Sequence, residues 1–420
     1  MVPRSLDSRQ VSGTRLLKAA AAVSGAAAAV PVATAAALVA LDWLNQGRRS
    51  KQRAPHPGDF HTQVEDSELR VYTSGRELYE DMLAAIEAAE RTVHLQTYIW
   101  KADEVGQRFI DAVNHAAARG VAVFVLYDGF ANLVVPRSFY RQFSDRVRVF
   151  RMPMMVRRFW KGPLRYTGVS HSKILVVDDH VGFVGGYNIG SLYAAQWRDT
   201  HVREIGPEVW GMQHAMARAW NEVHAPKDQI PWIPPRRWSS AISVVANLPV
   251  QLVYPIRQMY LNAIDRAQER IWITTAYFIP DQQILQALVA AASRGVDVRV
   301  MLPRESNHVV VDWVSRGFYG QLLEAGITLL LFSSSMLHAK TATIDGEWST
   351  VGTANIDRLS LSFSYETNVE VIDAGFAAEM EKIFTADSLH CELVSTPEWR
   401  DRHPMARAAE AALVPLRPLL

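Results

Sequence analysis

Two histidines carry the clearest chemical signal in this 420-residue sequence, because a lysine follows each of them two residues later. His171 and Lys173 form the first pair, and His338 and Lys340 form the second. Only eight of the 44 basic residues are lysines, so a chance match is uncommon. In a strand, residues two apart face the same side, so each pair on its strand would point into one pocket and could bind a phosphate.

The two pairs belong to longer stretches that share their spacing. Each lysine is followed by an aspartate, two small residues and an asparagine: Asp178, Gly185–Gly186 and Asn188 in the first copy, and Asp345, Gly352–Thr353 and Asn355 in the second. One copy alone is better explained as a core histidine beside a lysine with a buried stem. The duplication favours a shared site, in which Lys173 and Lys340 supply positive charge and the asparagines supply neutral donors. The aspartates end their strands at a turn, and we interpret them as mainly structural members of the motif.

A carboxylate also recurs at a fixed distance from each histidine. Asp199 follows His171 by 199 − 171 = 28 residues, and Glu366 follows His338 by 366 − 338 = 28 residues. A histidine that reacts through one ring nitrogen needs a partner on the other nitrogen to fix its tautomer. The equal offsets predict that each carboxylate orients the histidine of its own copy, and they weigh against solvated surface charges.

The elements around the motifs alternate between helix and strand. The pattern predicts helices at residues 78–89 and 107–118 and strands at 93–100 and 121–127, an order typical of a parallel sheet. The phrase Arg91–Tyr98 returns as Arg270–Tyr277, and Arg-Gly closes a helix in both copies. We therefore predict an α/β fold of two homologous halves related by a pseudo-two-fold axis, at 56–224 and 251–395, with a Pro/Trp-rich linker at 225–250 and a basic tail at 396–420.

Composition excludes several classes of function. The formal net charge of +1 offers no basic excess for a polyanion, so we do not expect a nucleic-acid partner. The single Cys391 excludes an intrachain disulfide and a thiolate metal cage. The other histidines lack the spacing of a metal site, so we expect neither a metal nor another cofactor.

The N-terminal region, residues 1–55, breaks the globular pattern. The stretch from Ala19 to Leu41 carries no charge and is long enough to span a bilayer. A cleaved signal peptide is the alternative, but basic residues on the far side favour a retained single anchor: Arg48, Arg49, Lys51 and Arg53. Residues 154–166, with four basic and three aromatic residues and no acid, are a predicted lipid contact, and residues 399–420 are a second one.

The pattern H-x-K-x4-D-x6-G-[GST], present twice, resembles the phospholipase D superfamily over about residues 60–395. The stretches from Leu337 to Arg358 and from Trp197 to Arg203 resemble bacterial cardiolipin synthases closely. One departure lies in the first motif, where many of those enzymes have Asn-His-Arg-Lys and this chain has Ser170 to Lys173. The departure leaves the phosphotransfer chemistry intact and bears on the lipid substrate.

The resemblance implies transfer of a phosphatidyl group through a phosphohistidine, with attack by His171 and acid catalysis by His338. The pseudo-symmetry leaves the reverse assignment open. A cardiolipin synthase joins two phosphatidylglycerol molecules, releases glycerol and works at the bacterial cell membrane. Two alternatives use the same chemistry, namely a phospholipid hydrolase and a nucleic-acid phosphodiesterase.

Overall fold

The computed structural model describes residues 29–44, 54–153, 168–235 and 240–419. Several sequence predictions concern residues outside these ranges. They are the lipid contact at 154–166, the first part of the uncharged stretch that begins at Ala19, and the basic cluster at residues 48–53.

The first half of the chain forms an eight-stranded sheet. Its strands, with the short β8 beside the sheet, are β1 (Phe60–Val64), β2 (Ser67–Tyr72), β3 (Thr92–Thr97), β4 (Ala122–Asp128), β5 (Arg148–Met152), β6 (Ile174–Val177), β7 (Val181–Gly185), β8 (Trp197–Arg198) and β9 (His201–Ile205). The helices are α1 (29–44), α2 (Gly75–Ala88), α3 (Glu104–Ala118), α4 (Arg137–Tyr140), α5 (Ser191–Gln196) and α6 (Val209–Asn221). The sheet order is β1-β2-β9-β7-β6-β3-β4-β5.

The second half forms another eight-stranded sheet. Its strands and the short ones beside it are β10 (Ile242–Ala246), β11 (Arg270–Thr274), β12 (Phe278–Ile279), β13 (Asp297–Pro303), β14 (Thr328–Phe332), β15 (Met336–Leu337), β16 (Thr341–Ile344), β17 (Trp348–Gly352), β18 (Ile356–Asp357), β19 (Thr367–Ile372) and β20 (Cys391–Leu393). The helices are α7 (Pro255–Arg266), α8 (Gln282–Ser293), α9 (Val309–Glu324), α10 (Arg358–Ser362), α11 (Ala374–Ser388), α12 (Thr396–Arg400) and α13 (Pro404–Leu413). Short 3₁₀ helices lie at Pro226–Asp228, Pro249–Gln251 and Val414–Leu419.

The two sheets repeat one strand order. The second runs β10-β19-β17-β16-β11-β13-β14-β20, so seven consecutive strands match β2-β9-β7-β6-β3-β4-β5 of the first sheet. Strand β3 pairs with β4 in parallel, and β11 pairs with β13 in parallel, as the helix–strand alternation predicts. The predicted α/β fold of two homologous halves is confirmed. The second sheet begins at β10, inside the range that the sequence analysis assigned to the linker.

Local sequence explains where the helices of the repeated unit begin and end. The side chain of Asp103 accepts a hydrogen bond from the backbone at the start of α3, and Asp281 does the same for α8. Gly120 and Gly295 follow those helices with φ of +96° and +94°, the left-handed conformation that glycine adopts without strain. The repeated Arg-Gly pairs therefore mark real helix ends.

The halves share one hydrophobic core at their interface. A single cluster of buried apolar residues includes Val184 and Val202 from the first sheet and Val351 and Val369 from the second. Burial of apolar side chains is the main favourable contribution to such an interface. The two sheets are therefore packed into one body, which fixes the motifs of one half against those of the other.

The N-terminal helix α1 contacts the second half, where Leu38 is buried in the core. In the described parts of the chain, we find no helix with both the length and the apolar character that a bilayer span requires. At the other terminus Trp399 and Leu413 are buried in the same core, so these two residues of the predicted lipid-contacting tail are internal.

The motif aspartates lie at the far ends of their strands from the histidines. Asp178 has a φ of +53° and its carboxylate accepts hydrogen bonds from the backbone of Glu90, Arg91 and Thr92 at 2.7–2.8 Å. Asp345 has the same φ and accepts from the backbone of residues 268–270 at 2.8–2.9 Å. Each aspartate therefore pairs backbone donors where the chain enters β3 or β11.

We predict that Asp178→Ala lowers the free energy of unfolding by about 2 kcal/mol, because three backbone donors lose a charged acceptor. Asp178→Asn, which tolerates positive φ and keeps one acceptor, loses less. Denaturant titration measures both, with exposed Asp145→Ala as the control. Loss of turnover at an unchanged unfolding free energy would assign Asp178 a chemical role instead.

Candidate active site

Both His-Lys pairs lie in extended segments just before a strand, and each is attached to the opposite half. The sequence analysis placed each pair on a strand, and this placement is wrong, because the pairs precede β6 and β16. The backbone N–H of His171 donates to the carbonyl oxygen of Tyr365 at 2.9 Å, and that of His338 donates to the carbonyl of Arg198 at 2.7 Å. The docking of the two halves therefore sets the backbone position of each histidine.

The carboxylates are exchanged between the halves. Nδ1 of His171 lies 2.9 and 3.0 Å from the two oxygens of Glu366, and Nδ1 of His338 lies 2.5 Å from Asp199. The equal offsets led us to expect each carboxylate on the histidine of its own copy, and this pairing is wrong. Packing around the pseudo-two-fold axis places each carboxylate opposite the other copy. When Nδ1 donates, the neutral ring leaves its Nε2 lone pair available for reaction.

The small residues of the motif make room for these carboxylates. A Cβ atom on Gly186 would lie 2.0 Å from Oδ1 of Asp199, so a larger residue cannot replace it without displacing the carboxylate. In the second copy Thr353 takes the equivalent position and its hydroxyl donates to Glu366 at 2.5 Å. The two copies therefore accommodate the carboxylate differently: Gly186 leaves space for Asp199, whereas Thr353 donates a hydrogen bond to Glu366.

The two lysines are almost completely buried, at 2% and 1% exposure. Nζ of Lys173 donates to the carbonyl oxygen of His171 at 2.6 Å, and Lys340 makes the same bond to His338. Burial lowers the pKa of Lys173 to about 7 and that of Lys340 to about 8, against the raising effect of the site carboxylates. Each ammonium group makes one hydrogen bond within the described residues, so an anionic ligand would stabilise its buried positive charge.

Burial also lowers the pKa of both histidines. Glu366 raises the pKa of His171, while the charge of Lys173 lowers it further. The pKa of His338 lies well below its ordinary value because burial is reinforced by Lys340, Lys173 and His171. Charges from both copies act on His338, so the two pairs belong to one site.

Aromatic rings form the walls of this site, and the sequence analysis assigned them no role. The ring of Tyr98 meets His171 edge-on at 4.7 Å, and Nζ of Lys173 lies 5.4 Å from the centre of the same ring. Trp197 and Tyr277 lie 4.8 and 6.3 Å from the ring of His338. Tyr98 and Tyr277 end the two copies of the repeated phrase, a signal that the sequence did contain.

The two motif asparagines are both buried. Oδ1 of Asn188 accepts from the backbone of Ile99 at 3.1 Å, which fixes the amide. Oδ1 of Asn355 has no hydrogen-bond partner in the ranges that the structure describes. A buried, unpaired amide atom is costly unless a ligand satisfies it, so Asn355 has a polar atom available to substrate.

A buried ion pair supports the His338 side of the site. The guanidinium of Arg198 is fully buried and contacts both carboxylate oxygens of Asp387 on α11, at 2.6 and 2.9 Å. The same side chain donates to the carbonyl of Asp199. Arg198 therefore joins the second half to the residue that orients His338. The sequence gives no spacing rule for this pair, because 189 residues separate its members.

A cavity of about 440 Å³ lies beside the site in the second half, with Tyr277 among its lining residues. Arg304, Arg316 and Trp313 also line it, so it offers cationic and aromatic surface. Elsewhere in the described residues, the side chains of His56, Asp59 and Glu77 lie close enough in space to hold a metal ion. Arg70 lies 3.3 Å from Asp59 and 3.9 Å from Glu77, so a cation already balances these carboxylates.

Two His-Lys pairs on a duplicated α/β fold, each histidine held by a carboxylate, provide the nucleophile, the acid and the positive charge that phosphodiester transfer requires. The family described as "Cardiolipin synthase, PLD-like domain" matches residues 82–223 and 260–388, which is more than half of the chain. The chain belongs to this family, and the resemblance that the motifs indicated is confirmed.

Individual relatives agree with this assignment. The major cardiolipin synthase ClsA of Bacillus subtilis is 33% identical over 85% of this chain and 76% of its own length. The cardiolipin synthase of Listeria innocua is 30% identical over the same shares. Among solved structures, the phosphatidylserine synthase of Haemophilus influenzae superposes with a TM-score of 0.64 at 14% identity, covering 89% of this chain and 96% of that one. That likeness supports the fold.

We predict that Glu366→Gln lowers the pKa of His171 and leaves that of His338 nearly unchanged, because Glu366 is hydrogen-bonded to the ring of His171 and His338 is hydrogen-bonded to Asp199. Histidine-selective NMR titration measures both, with His171→Ala and His338→Ala spectra as assignments. Asp199→Asn is the matched variant for His338. Each carboxylate variant should lose about 10–100-fold in turnover, less than a histidine variant. A larger shift at His338 than at His171 in Glu366→Gln would contradict the exchanged pairing.

We predict that the pH optimum of kcat/KM lies below neutrality. The lysine pKa values of about 7 and 8 mean that the cationic forms are lost as pH rises through them, so kcat/KM falls on the alkaline side. Because the pKa of His171 is lowered, its ring remains neutral somewhat below pH of about 6.5, where an ordinary histidine would be protonated. Lys173→Arg, which stays charged, should move the alkaline limb upward; an unmoved limb would exclude Lys173 as its origin.

Proposed function

We propose that the chain joins two phosphatidylglycerol molecules into cardiolipin and releases glycerol. The observation that carries the proposal is the assembly of both His-Lys pairs at one buried site by the docking of two halves. A phosphodiester carries a negative charge, and an ester oxygen must leave as the bond from phosphorus breaks. The site offers one histidine as the nucleophile, one histidine as the acid for the leaving oxygen, and two lysines for the charge. Family membership supports the choice of substrate, because the relatives in question are cardiolipin synthases.

In the first half-reaction, Nε2 of neutral His171 attacks the phosphorus of phosphatidylglycerol. The negative charge of the bound phosphodiester raises the pKa of His338 from its lowered value in the free site, which favours the protonated ring. The bond from phosphorus to the glycerol oxygen breaks, and protonated His338 gives its proton to that oxygen. Lys173 and Lys340 stabilise the charge on the phosphoryl oxygens. The products are glycerol and a phosphatidyl group on His171.

The second half-reaction reverses the proton transfer. His338, now neutral, takes the proton from a hydroxyl of a second phosphatidylglycerol, and that oxygen attacks the phosphorus. The bond from phosphorus to Nε2 breaks, which forms cardiolipin and restores His171. Glu366 stabilises positive charge on His171 while the phosphatidyl group is attached. The half-buried aromatic rings of Tyr98, Trp197 and Tyr277 reduce the access of water, which would otherwise give phosphatidic acid.

The proposal extends to location. A reaction between two lipids needs an enzyme at the membrane. The uncharged stretch from Ala19 to Leu41 is proposed as a single anchor at the bacterial cell membrane, with its end attached to the second half of the protein through Leu38. Asp178 and Asp345 belong to the proposed catalytic motif because their hydrogen bonds attach the ends of β6 and β16 to the starts of β3 and β11.

We predict that His171→Ala and His338→Ala each lower cardiolipin formation by at least about 10³-fold, because each removes a chemical participant. Purified full-length protein is incubated with phosphatidylglycerol vesicles, and lipid products and free glycerol are quantified. Thermal unfolding of each variant controls for folding. Phosphatidic acid as the main product of the wild type would replace the proposal by hydrolysis.

The same incubation identifies the nucleophile. Rapid quenching at alkaline pH, followed by mass spectrometry of peptides, should find the phosphatidyl group on the peptide with His171, and His171→Ala should remove it. Modification of the peptide with His338 would reverse the assignment of the two histidines and keep the overall reaction.

A further inference from the structure

The loop after β4 exposes an unusual amount of apolar surface. Phe130, Leu133 and Val134, which we call the apolar tip, are 49%, 65% and 83% exposed. Single exposed apolar residues are common on protein surfaces, but a group of large ones on one short loop marks an interaction site.

The apolar tip is attached to the active site by hydrogen bonds. Asp128, at the end of β4, accepts from the backbone of Phe130 and Ala131 at 2.8 Å through one oxygen. Its other oxygen accepts from the backbone of Ser170 at 2.9 Å, one residue before His171. The loop and the catalytic segment are therefore held by the same buried carboxylate.

A second connection runs through Asn132, which is buried between the tip residues. Its amide donates to the carbonyl of Tyr98 at 2.7 Å and accepts from the backbone of Trp100 at 2.9 Å. The ring of Tyr98 contacts His171. The loop that carries the apolar tip is thus hydrogen-bonded to the backbone of a residue in the wall of the active site.

The charges beside the apolar tip suit an anionic lipid surface. No acidic residue occurs between Gly129 and Ser144, and Arg137 and Arg141 on this stretch are exposed. Exposed apolar and basic residues together are typical of surfaces that bind anionic membranes. The equivalent loop after β13 is different, because its exposed residues are Arg304, Glu305, Asn307 and His308.

We propose that the apolar tip inserts into the lipid surface and places the His171 side of the site against the membrane, so that lipid substrates enter from that side. The proposal rests on the proposed function, which supplies a lipid substrate. Of the two equivalent loops, the one after β4 has the apolar tip and the one after β13 does not, so we propose that this contact involves the first half.

A fluorescent label tests the contact directly. Cys391 is the single cysteine, so Cys391→Ala gives a background for one new cysteine at a time in the full-length chain. Val134→Cys carries an environment-sensitive nitrobenzoxadiazole label, and Ile372→Cys is the matched control. Ile372 is 50% exposed and precedes Asp373, whose backbone bonds to Glu347 at the end of the sheet distant from the histidines.

Phosphatidylglycerol vesicles should shift the emission of the label at residue 134 to shorter wavelength, and spin-labelled acyl chains should quench it, while the label at residue 372 does not respond. No response at residue 134, or equal responses at both positions, would overturn the proposal. Blue-shifted emission at residue 134 before lipid is added would assign the apolar tip to contact between copies of the chain and overturn the lipid contact.

Turnover gives a second test with the Leu133→Ser/Val134→Ser double variant. We expect about tenfold lower turnover on phosphatidylglycerol vesicles and unchanged turnover of a soluble short-chain phosphatidylglycerol. Unchanged vesicle turnover, or equal losses on both substrates, would overturn the proposal. A wild-type chain that gives the label response but forms no cardiolipin would support the lipid contact while contradicting the proposed function.

Discussion

The hydrogen bonds between each histidine and the carboxylate of the opposite half are the constraint on which the site depends. His171 with Glu366 and His338 with Asp199 are buried, so a histidine without its partner would lose the group that fixes its tautomer in a medium that stabilises charge poorly. Because the partners belong to different halves, neither half contains a working histidine alone. The shared hydrophobic core and the pair of Arg198 and Asp387 therefore maintain the chemistry as well as the fold.

The same burial sets the charge of the site before substrate binds. Removing ammonium groups from water is costly, and this cost lowers the pKa values of Lys173 and Lys340. A bound phosphodiester returns negative charge to the site, so it favours the cationic forms that stabilise the reaction. Binding and protonation are linked in this way. The carboxylates cannot substitute for the substrate, because Glu366 and Asp199 are already directed at the imidazole rings.

The sequence predicts the fold and the motif residues better than it predicts their contacts. Equal spacing of His, Lys, Asp and Asn reveals duplication, and alternating elements reveal the parallel strands. Spacing along one chain cannot reveal the exchange of Glu366 and Asp199, because that depends on how the halves dock. The contact of Arg198 with Asp387 depends on docking as well. The burial of Leu38 was also missed, because an uncharged stretch favours a membrane span over packing on the protein.

The differences between the halves follow from the chemistry that a symmetric fold must perform. One histidine must be a nucleophile while the other is an acid, so identical surroundings would suit neither role. The copies accordingly differ close to the rings: Glu366 with Thr353 orients His171, whereas Asp199 beside Gly186 orients His338. They differ further out as well, since one loop presents an apolar tip and the other presents polar residues beside a cavity. Duplication supplies two equivalent His-Lys pairs, and divergence of the surrounding residues gives each pair a different environment, as the proposed division into nucleophile and acid requires.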